Sequence, residues 1–98
     1  MSTLALEHES LAQKVVFAED SFVVYLSDGR NISVPIIWYP RLLNGNKQEL
    51  ANYELLGDGE GIHWPDLDED ISVEGILAGR CSGESQKSLD KWLKRRDK

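Results

Sequence analysis

The dipeptide Asp28-Gly29 stands between two runs rich in β-branched and aromatic residues, SFVVYL (Ser21–Leu26) and NISVP (Asn31–Pro35). Asp-Gly between such runs is a strong hairpin signal, because both residues tolerate the positive φ that a tight type I′ turn demands. A two-residue turn there sets Tyr25 opposite Ile32 and Val23 opposite Val34. Phe22, Val24 and Leu26 then fall on the other face. Apolar residues on both faces predict a central strand covered on both sides. A preceding run, KVVFA (Lys14–Ala18), joined through Glu19-Asp20, supplies a third strand. The expectation is a three-stranded antiparallel meander.

Local signals continue beyond it. Pro35 ends the third strand, since proline cannot donate to a ladder. IIWYPRLLNG reads as a short helix with Pro40 in its first turn and Asn44-Gly45 at its exit. Asn46 followed by Glu49 has capping-box spacing. NYELLGDGEGIHWP reads as a second, shorter hairpin turned by Gly57, Gly59 and Gly61, with Tyr53, Leu55, Ile62 and Trp64 offering apolar faces. WPDLDED reads as an extended loop feeding a helix capped by Ser72, with Glu74 in its first turn, Ile71 and Ile76 as a hydrophobic staple, and Gly79 at its end. Leu89, Trp92 and Leu93 form one narrow apolar stripe on a C-terminal helix.

The fold class expected is therefore α+β: a meander, a second short hairpin, short helices and a C-terminal helix. Residues 1–13 read as a flexible polar arm, 14–79 as one domain, and 80–98 as a helix with a basic end, with a possible hinge at Arg80–Glu84. A chain of 98 residues with 41% hydrophobic and 29% charged content can bury one modest core as an ordinary globular domain.

Charge narrows the function. A net charge of −6 and a pI near 4.8 argue against a general nucleic-acid binder and suit a cationic partner. The charge is polarised: Asp58, Glu60, Asp66, Asp68, Glu69 and Asp70 crowd one stretch that has no Lys or Arg. Arg80, Lys87, Lys91, Lys94, Arg95, Arg96 and Lys98 crowd the end. The lone Cys81 excludes an internal disulfide or a cysteine zinc cluster. STLALEHES after Met1 has no basic start and no long apolar core, so neither a signal peptide nor a membrane span is expected. The expected location is the cytoplasm.

Three constellations invite chemistry. Asp66, Asp68 and Asp70 alternate as at the start of a calcium loop. Counting from Asp66, however, the sixth and twelfth positions are Ile71 and Leu77, where a glycine and a bidentate glutamate belong. No metal site or cofactor is expected. His63, beside Trp64 and near the aspartates, can serve as an acid/base group if it meets Asp66, Asp68 or Asp70. His8 is the only other histidine. No nucleophile elbow, zincin motif or phosphate loop accompanies His63, and GDGEG runs into IHWP rather than a helix. Cys81 follows Arg80 but has no histidine near it in sequence. Trp38-Tyr39-Pro40-Arg41 has the composition of a protein-binding hot spot and equally that of a core segment.

The successions DGRNISVPIIWYPRLLNG and NYELLGDGEGIHWPDLDEDISVEGILAG resemble the bacterial family Domain of Unknown Function 2442, over roughly Lys14 to Gly79. The stretch Asn46–Leu50 departs from that family's usual text. The resemblance implies a compact α+β domain and supplies no activity. Some members resemble the N-terminal part of helix-turn-helix proteins, and others stand-alone proteins encoded beside a small partner, much like toxin–antitoxin pairs. Since the sequence ends at Lys98, we expect no appended DNA-binding domain.

The expectation is a non-enzymatic module that binds another protein, encoded by a neighbouring gene, through Trp38, Tyr39, Arg41, Asp66, Asp68 and Asp70. The alternatives are an acid/base enzyme around His63, a nucleic-acid contact through Lys94, Arg95 and Arg96, and self-association.

Overall fold

A computed structural model describes residues 10–96. The first nine residues of the expected arm, with His8, and the terminal Lys98 lie outside that range. Three strands, β1 (Ala12–Phe17), β2 (Ser21–Leu26) and β3 (Asn31–Pro35), form an antiparallel sheet in that order. A 3₁₀ turn (Ile36–Trp38) and two short helices, α1 (Pro40–Leu43) and α2 (Lys47–Ala51), lead to a second antiparallel sheet. It consists of β4 (Glu54–Leu56), β5 (Gly61–Trp64) and β6 (Glu69–Ser72), again in sequential order. Helices α3 (Val73–Leu77) and α4 (Gln86–Arg96) complete an α+β domain.

The first hairpin forms where expected, one residue out of the expected register. Its loop is Ser27-Asp28-Gly29. The Leu26 N–H donates to the Arg30 carbonyl (2.8 Å), and only Gly29 takes a positive φ, +96°. The Asp28 carboxylate accepts from the Arg30 N–H instead (3.0 Å). Tyr25 therefore faces Asn31, Val24 faces Ile32 and Phe22 faces Val34. A single-residue slip exchanges the faces of a strand, and this one places Ile32 and Val34 on the core side with Val24 and Phe22. The expected two-sided cover is also corrected. Phe22, Val24 and Leu26 are buried, whereas Ser21, Val23 and Tyr25 are only half-buried. Tyr25 is covered on that outer face by the Lys14 ammonium, 5.0 Å from the ring centroid.

The two sheets meet at β1, which begins at Ala12 rather than Lys14. The Ala12 N–H donates to the Gly59 carbonyl (2.7 Å) in the β4–β5 turn, and the Val15 N–H donates to the Tyr53 hydroxyl (3.0 Å). Gly59 is required there. Its φ is +112°, and a Cβ would lie 2.4 Å from the Ala12 oxygen. Gly61 belongs to β5 instead of the turn.

Between the sheets Trp64 is completely buried, with the rings of Phe17, Phe22 and Tyr53 at centroid distances of 6.1, 6.2 and 6.3 Å. Its indole N–H donates to the Leu50 carbonyl (3.0 Å), so the largest core side chain leaves no polar atom unsatisfied.

Local caps match their sequence signals. Asn46 and Glu49 form a reciprocal capping box. The Ser72 hydroxyl accepts from the Gly75 N–H. Helix α3 ends with the Gly79 N–H on the Ile76 carbonyl and the Arg80 N–H on the Gly75 carbonyl, Gly79 being left-handed at +75°.

WPDLDED is corrected from an extended loop to a hairpin. Pro65–Asp68 turn the chain, Asp68 at φ 53°, and Glu69 opens β6 opposite Trp64. Leu67 is fully buried and anchors the turn.

The stripe on α4 also lands as expected: Trp92 is buried, and Leu89 and Leu93 pack partly against the core. Two guanidinium groups flank the Trp92 ring, Arg41 at 5.0 Å and Arg96 at 4.7 Å from its centroid.

Candidate functional site

A cleft of about 580 Å³ opens between β6 and the irregular segment that joins α3 to α4. Its walls come from α1 (Arg41), β6 with its preceding turn (Asp68 to Ser72), the segment Arg80–Glu84 and the first turn of α4 (Ser88).

One ion pair builds the far wall. The Arg41 Nε donates to both Glu84 oxygens (2.9 and 3.0 Å), and its Nη1 donates to the Asp68 carbonyl (2.9 Å). The Ser88 hydroxyl donates to Glu84 Oε2 at 2.8 Å. With side chains only 13% and 11% exposed, Arg41 and Glu84 are a largely buried, hydrogen-bonded pair. The contact holds the Glu84 carboxyl below its ordinary value and raises Arg41 further, chiefly through their hydrogen bonds. The expected hinge is thereby pinned at Glu84. It is also pinned by the Ser82 N–H on the Trp38 carbonyl (2.9 Å) and by the Tyr39 hydroxyl, which donates to the Arg80 carbonyl (2.8 Å).

Glu69 is the anomaly of the near wall. It shares a face of β6 with the buried Ile71, and its cross-strand partner is the buried Trp64. A carboxylate thus occupies a core-facing position at the mouth of the cleft. Burial raises its pKa, opposed by the Asp70 N–H and by the Arg41 charge. Its charge in turn adds to the burial that pushes the Tyr39 phenol up.

His63 and Asp70 do meet, as cross-strand neighbours on the outer face of β5 and β6. The hydrogen bond to Asp70 raises the His63 pKa. Asp70 borders the cleft; His63 does not.

Of the residues proposed from sequence, Tyr39, Arg41, Asp68 and Asp70 line this one cleft, and Trp38 and Asp66 do not. Tyr39 is corrected from a surface anchor to core. It is 5% exposed, with its ring centroid 6.0 Å from that of Phe22. Trp38 is half-buried, and the exposed apolar residues of its segment are Ile37 and Leu43. Asp66 is exposed and accepts from the Asn52 amide. At the basic end, Lys94 and Arg95 are exposed. Arg96 is corrected from a solvated end to a clamp: it pairs with Glu49 (2.9 Å) while stacking on Trp92.

Sequence reasoning missed Glu69 and Glu84. Glu69 has a signal, the alternation of Leu67, Glu69, Ile71 and Val73, which puts a charge in phase with three apolar residues. Glu84 has none, lying 43 residues from Arg41.

Among the described residues no cluster of His, Cys, Asp and Glu has the makings of a metal site, and no helix is long and apolar enough to cross a membrane.

Two sequential three-stranded meanders, joined edge to turn around one tryptophan and carrying a polar cleft on the second, define a small α+β domain class with a surface site. The chain belongs to the DUF2442 family of proteins of unknown function, whose model matches residues 12–82. It is similar to a crystal structure of a protein of unknown function from Rhodospirillum rubrum. The TM-score there is 0.69 at 28% identity, over 81% of this chain and 98% of that one. It also shares its fold with an uncharacterized protein from Chromobacterium violaceum solved by solution NMR, with a TM-score of 0.65 at 23% identity, over 88% and 78% of the two chains. No curated protein matches the chain.

Proposed function

We propose that this protein is a non-catalytic module that binds another protein through the cleft beside β6. The observation that carries the reading is the cleft's construction. A largely buried Arg41–Glu84 pair is spent on holding its wall, while the strand edge opposite stays unpaired among the described residues. Such a surface suits recognition by main-chain and charged groups. The resemblance to proteins encoded beside a small partner extends the reading to a toxin–antitoxin-like or regulatory pair, and the single free Cys81 fits a cytoplasmic setting. Of the His63–Asp70 pair only Asp70 reaches the cleft lining and the imidazole does not, which favours a structural role for the pair over a catalytic one.

Gly83→Trp tests this cleanly. Gly83 lines the cleft, and a Cβ there meets nothing within 4 Å, so a bulky side chain can be attached at the cleft without a clash at its first atom. Affinity capture from the native host should recover a stoichiometric protein that resists nuclease treatment and disappears with Gly83→Trp. Retention of the same partner by that variant refutes the cleft. Recovery of nucleic acid alone, lost with Lys94→Ala and Arg95→Ala, refutes a protein partner. Turnover in a broad hydrolase screen, abolished by His63→Ala in a folded protein, refutes the non-catalytic reading.

A further inference from the structure

The outer edge of β6 specifies what the cleft takes. The Val73 N–H donates to the Glu60 carbonyl at 2.9 Å, which sets the phase of the β5–β6 ladder. Hydrogen-bonded and non-bonded pairs alternate in an antiparallel ladder. Ile71 and Glu69 therefore turn their main-chain groups towards β5, and Asp70 and Ser72 turn theirs outward, along the cleft. No strand pairs with that edge among the described residues. The Glu69 carboxylate stands beside that edge, on the residue adjoining Asp70 and within the lining of the cleft. Native sheets commonly shield an open edge with charge in this way.

The charges of the cleft are unequally spent. Arg41 is engaged by Glu84 and by Asp68, and Asp70 is engaged by His63. Glu69 has no ion pair among the described residues, although it is half-buried. A half-buried carboxylate without an ion pair, beside outward-facing main-chain donors and acceptors, is complementary to an extended segment carrying a lysine or arginine. Main-chain bonds supply affinity in such strand addition, and the alternate side chains supply selectivity.

We infer that the cleft receives a short extended peptide segment as a fourth strand on β6, with a cationic side chain of that segment seated on Glu69. This rests on the protein-binding reading above and names the partner's chemistry. Glu69 would take the cation while the Asp70 N–H pairs with the incoming strand. The charge it carries at a core-facing position is thereby a selectivity device, because an apolar or acidic residue at the same place leaves it unpaired.

The test uses acetylated, amidated hexapeptides of alternating threonine and valine, with lysine, norleucine or glutamate at one central position. They are titrated into the full-length protein labelled for amide NMR. The lysine peptide should shift the amides of Asp70 and Ser72 and slow their exchange. It should bind about tenfold more tightly than the norleucine peptide, as a desolvated charge-assisted bond implies, with the glutamate peptide weakest. Glu69→Gln should retain the native spectrum and lose that preference, and Glu69→Asp should keep most of it. Gly83→Trp should abolish binding with Glu69 intact, which keeps the idea testable if Glu69→Gln fails to fold.

Equal affinity for lysine and norleucine peptides, or shifts centred on β4, would overturn the inference. So would concentration-dependent loss of the Asp70 and Ser72 signals without peptide, because a second copy would then be the occupant. A native partner captured through the cleft whose affinity is indifferent to Glu69→Gln would sink this inference alone and leave the binding module standing.

Discussion

The two sheets share a meander topology and differ in how their edges are treated. In the first, β1 is the edge that meets the rest of the molecule. Two of its main-chain N–H groups are taken up there, Ala12 on the Gly59 carbonyl and Val15 on the Tyr53 hydroxyl. In the second, β6 pairs with β5 on one side only, and beyond its own turn the contact on the other side is Arg41 on the Asp68 carbonyl. The first sheet buries the longer strands and much of the core. The second has strands of three and four residues and borders the cleft. One sheet provides the scaffold, and the other leaves hydrogen-bonding capacity unspent at a place where charge guards it. That is the pattern expected when a rigid body presents a recognition edge.

Removing the shared centre should break both sheets at once. Trp64→Ala deletes a fully buried indole that touches rings from both sides. It should cost about 4 kcal/mol, with fluorescence and far-UV circular dichroism melting together in denaturant. Separate transitions would show that the sheets are independent units.

Arg41→Ala strikes the second sheet's cleft selectively. It leaves Glu84 largely buried without its cation, a change that typically costs about 3 kcal/mol. Faster amide exchange should concentrate in residues 80–88 and spare β1–β3. Gly59→Ala strikes the joint instead, where φ is positive and the Ala12 oxygen blocks a Cβ. About 2 kcal/mol is expected, with chemical-shift changes at Ala12 and in the β4–β5 turn. Ser72→Ala removes the cap of α3 and should cost about 1 kcal/mol in the same denaturation assay.

The smallest effect is a pH dependence of opposite sign at the two walls of the cleft. Glu84 has a lowered folded pKa, owing first to Arg41. Its stabilisation is complete above the unfolded value near 4.5 and is lost as pH falls through the folded value. Glu69 has a raised folded pKa, owing first to burial. It binds more protons folded than unfolded, so its stabilisation is present at low pH and is lost as pH rises through that raised value. Glu84→Gln should therefore lower the melting temperature at pH 7 and lose that effect in acid. Glu69→Gln should raise the melting temperature at pH 7 and have little effect below the unfolded value. Profiles of the same sign for both variants would contradict the assignment of Glu69 as the unpaired carboxylate.

The contrast between the sheets also explains what could be read in advance. The hairpin at Asp28-Gly29, the capping box at Asn46 and Glu49, the Ser72 cap, the Gly79 terminus and the stripe of Leu89, Trp92 and Leu93 were all legible. Each depends on residues within a few positions of one another, where sterics and local hydrogen bonds are the governing terms. The convergence of Tyr39, Arg41, Asp68 and Asp70 was legible only as a grouping, and the role within it changed. Tyr39 packs inward, and Arg41 is consumed by the wall.

Of the remainder, one feature was a local bond that the Asp-Gly signal does not distinguish, and the rest depended on contacts distant along the chain. The register of β2 and β3 turned on Asp28 accepting from the Arg30 N–H, which left Gly29 alone left-handed and lengthened the loop by one residue. β6 exists because Leu67 finds a place in the core and the strand then pairs with β5, so a string of acids that reads as loop becomes sheet. Trp92 and Arg96 fasten α4 by meeting Arg41, Glu49 and the core from far along the sequence. Local composition sets which elements can form, because their energies are local. Pairing, burial and the fate of each charge are set by which surfaces meet, since desolvation and ion pairing depend on neighbours that no short window contains. Glu69 carries both lessons: its place in the alternation is written in LDEDISV, and its lack of an ion pair among the described residues is visible only in the folded chain.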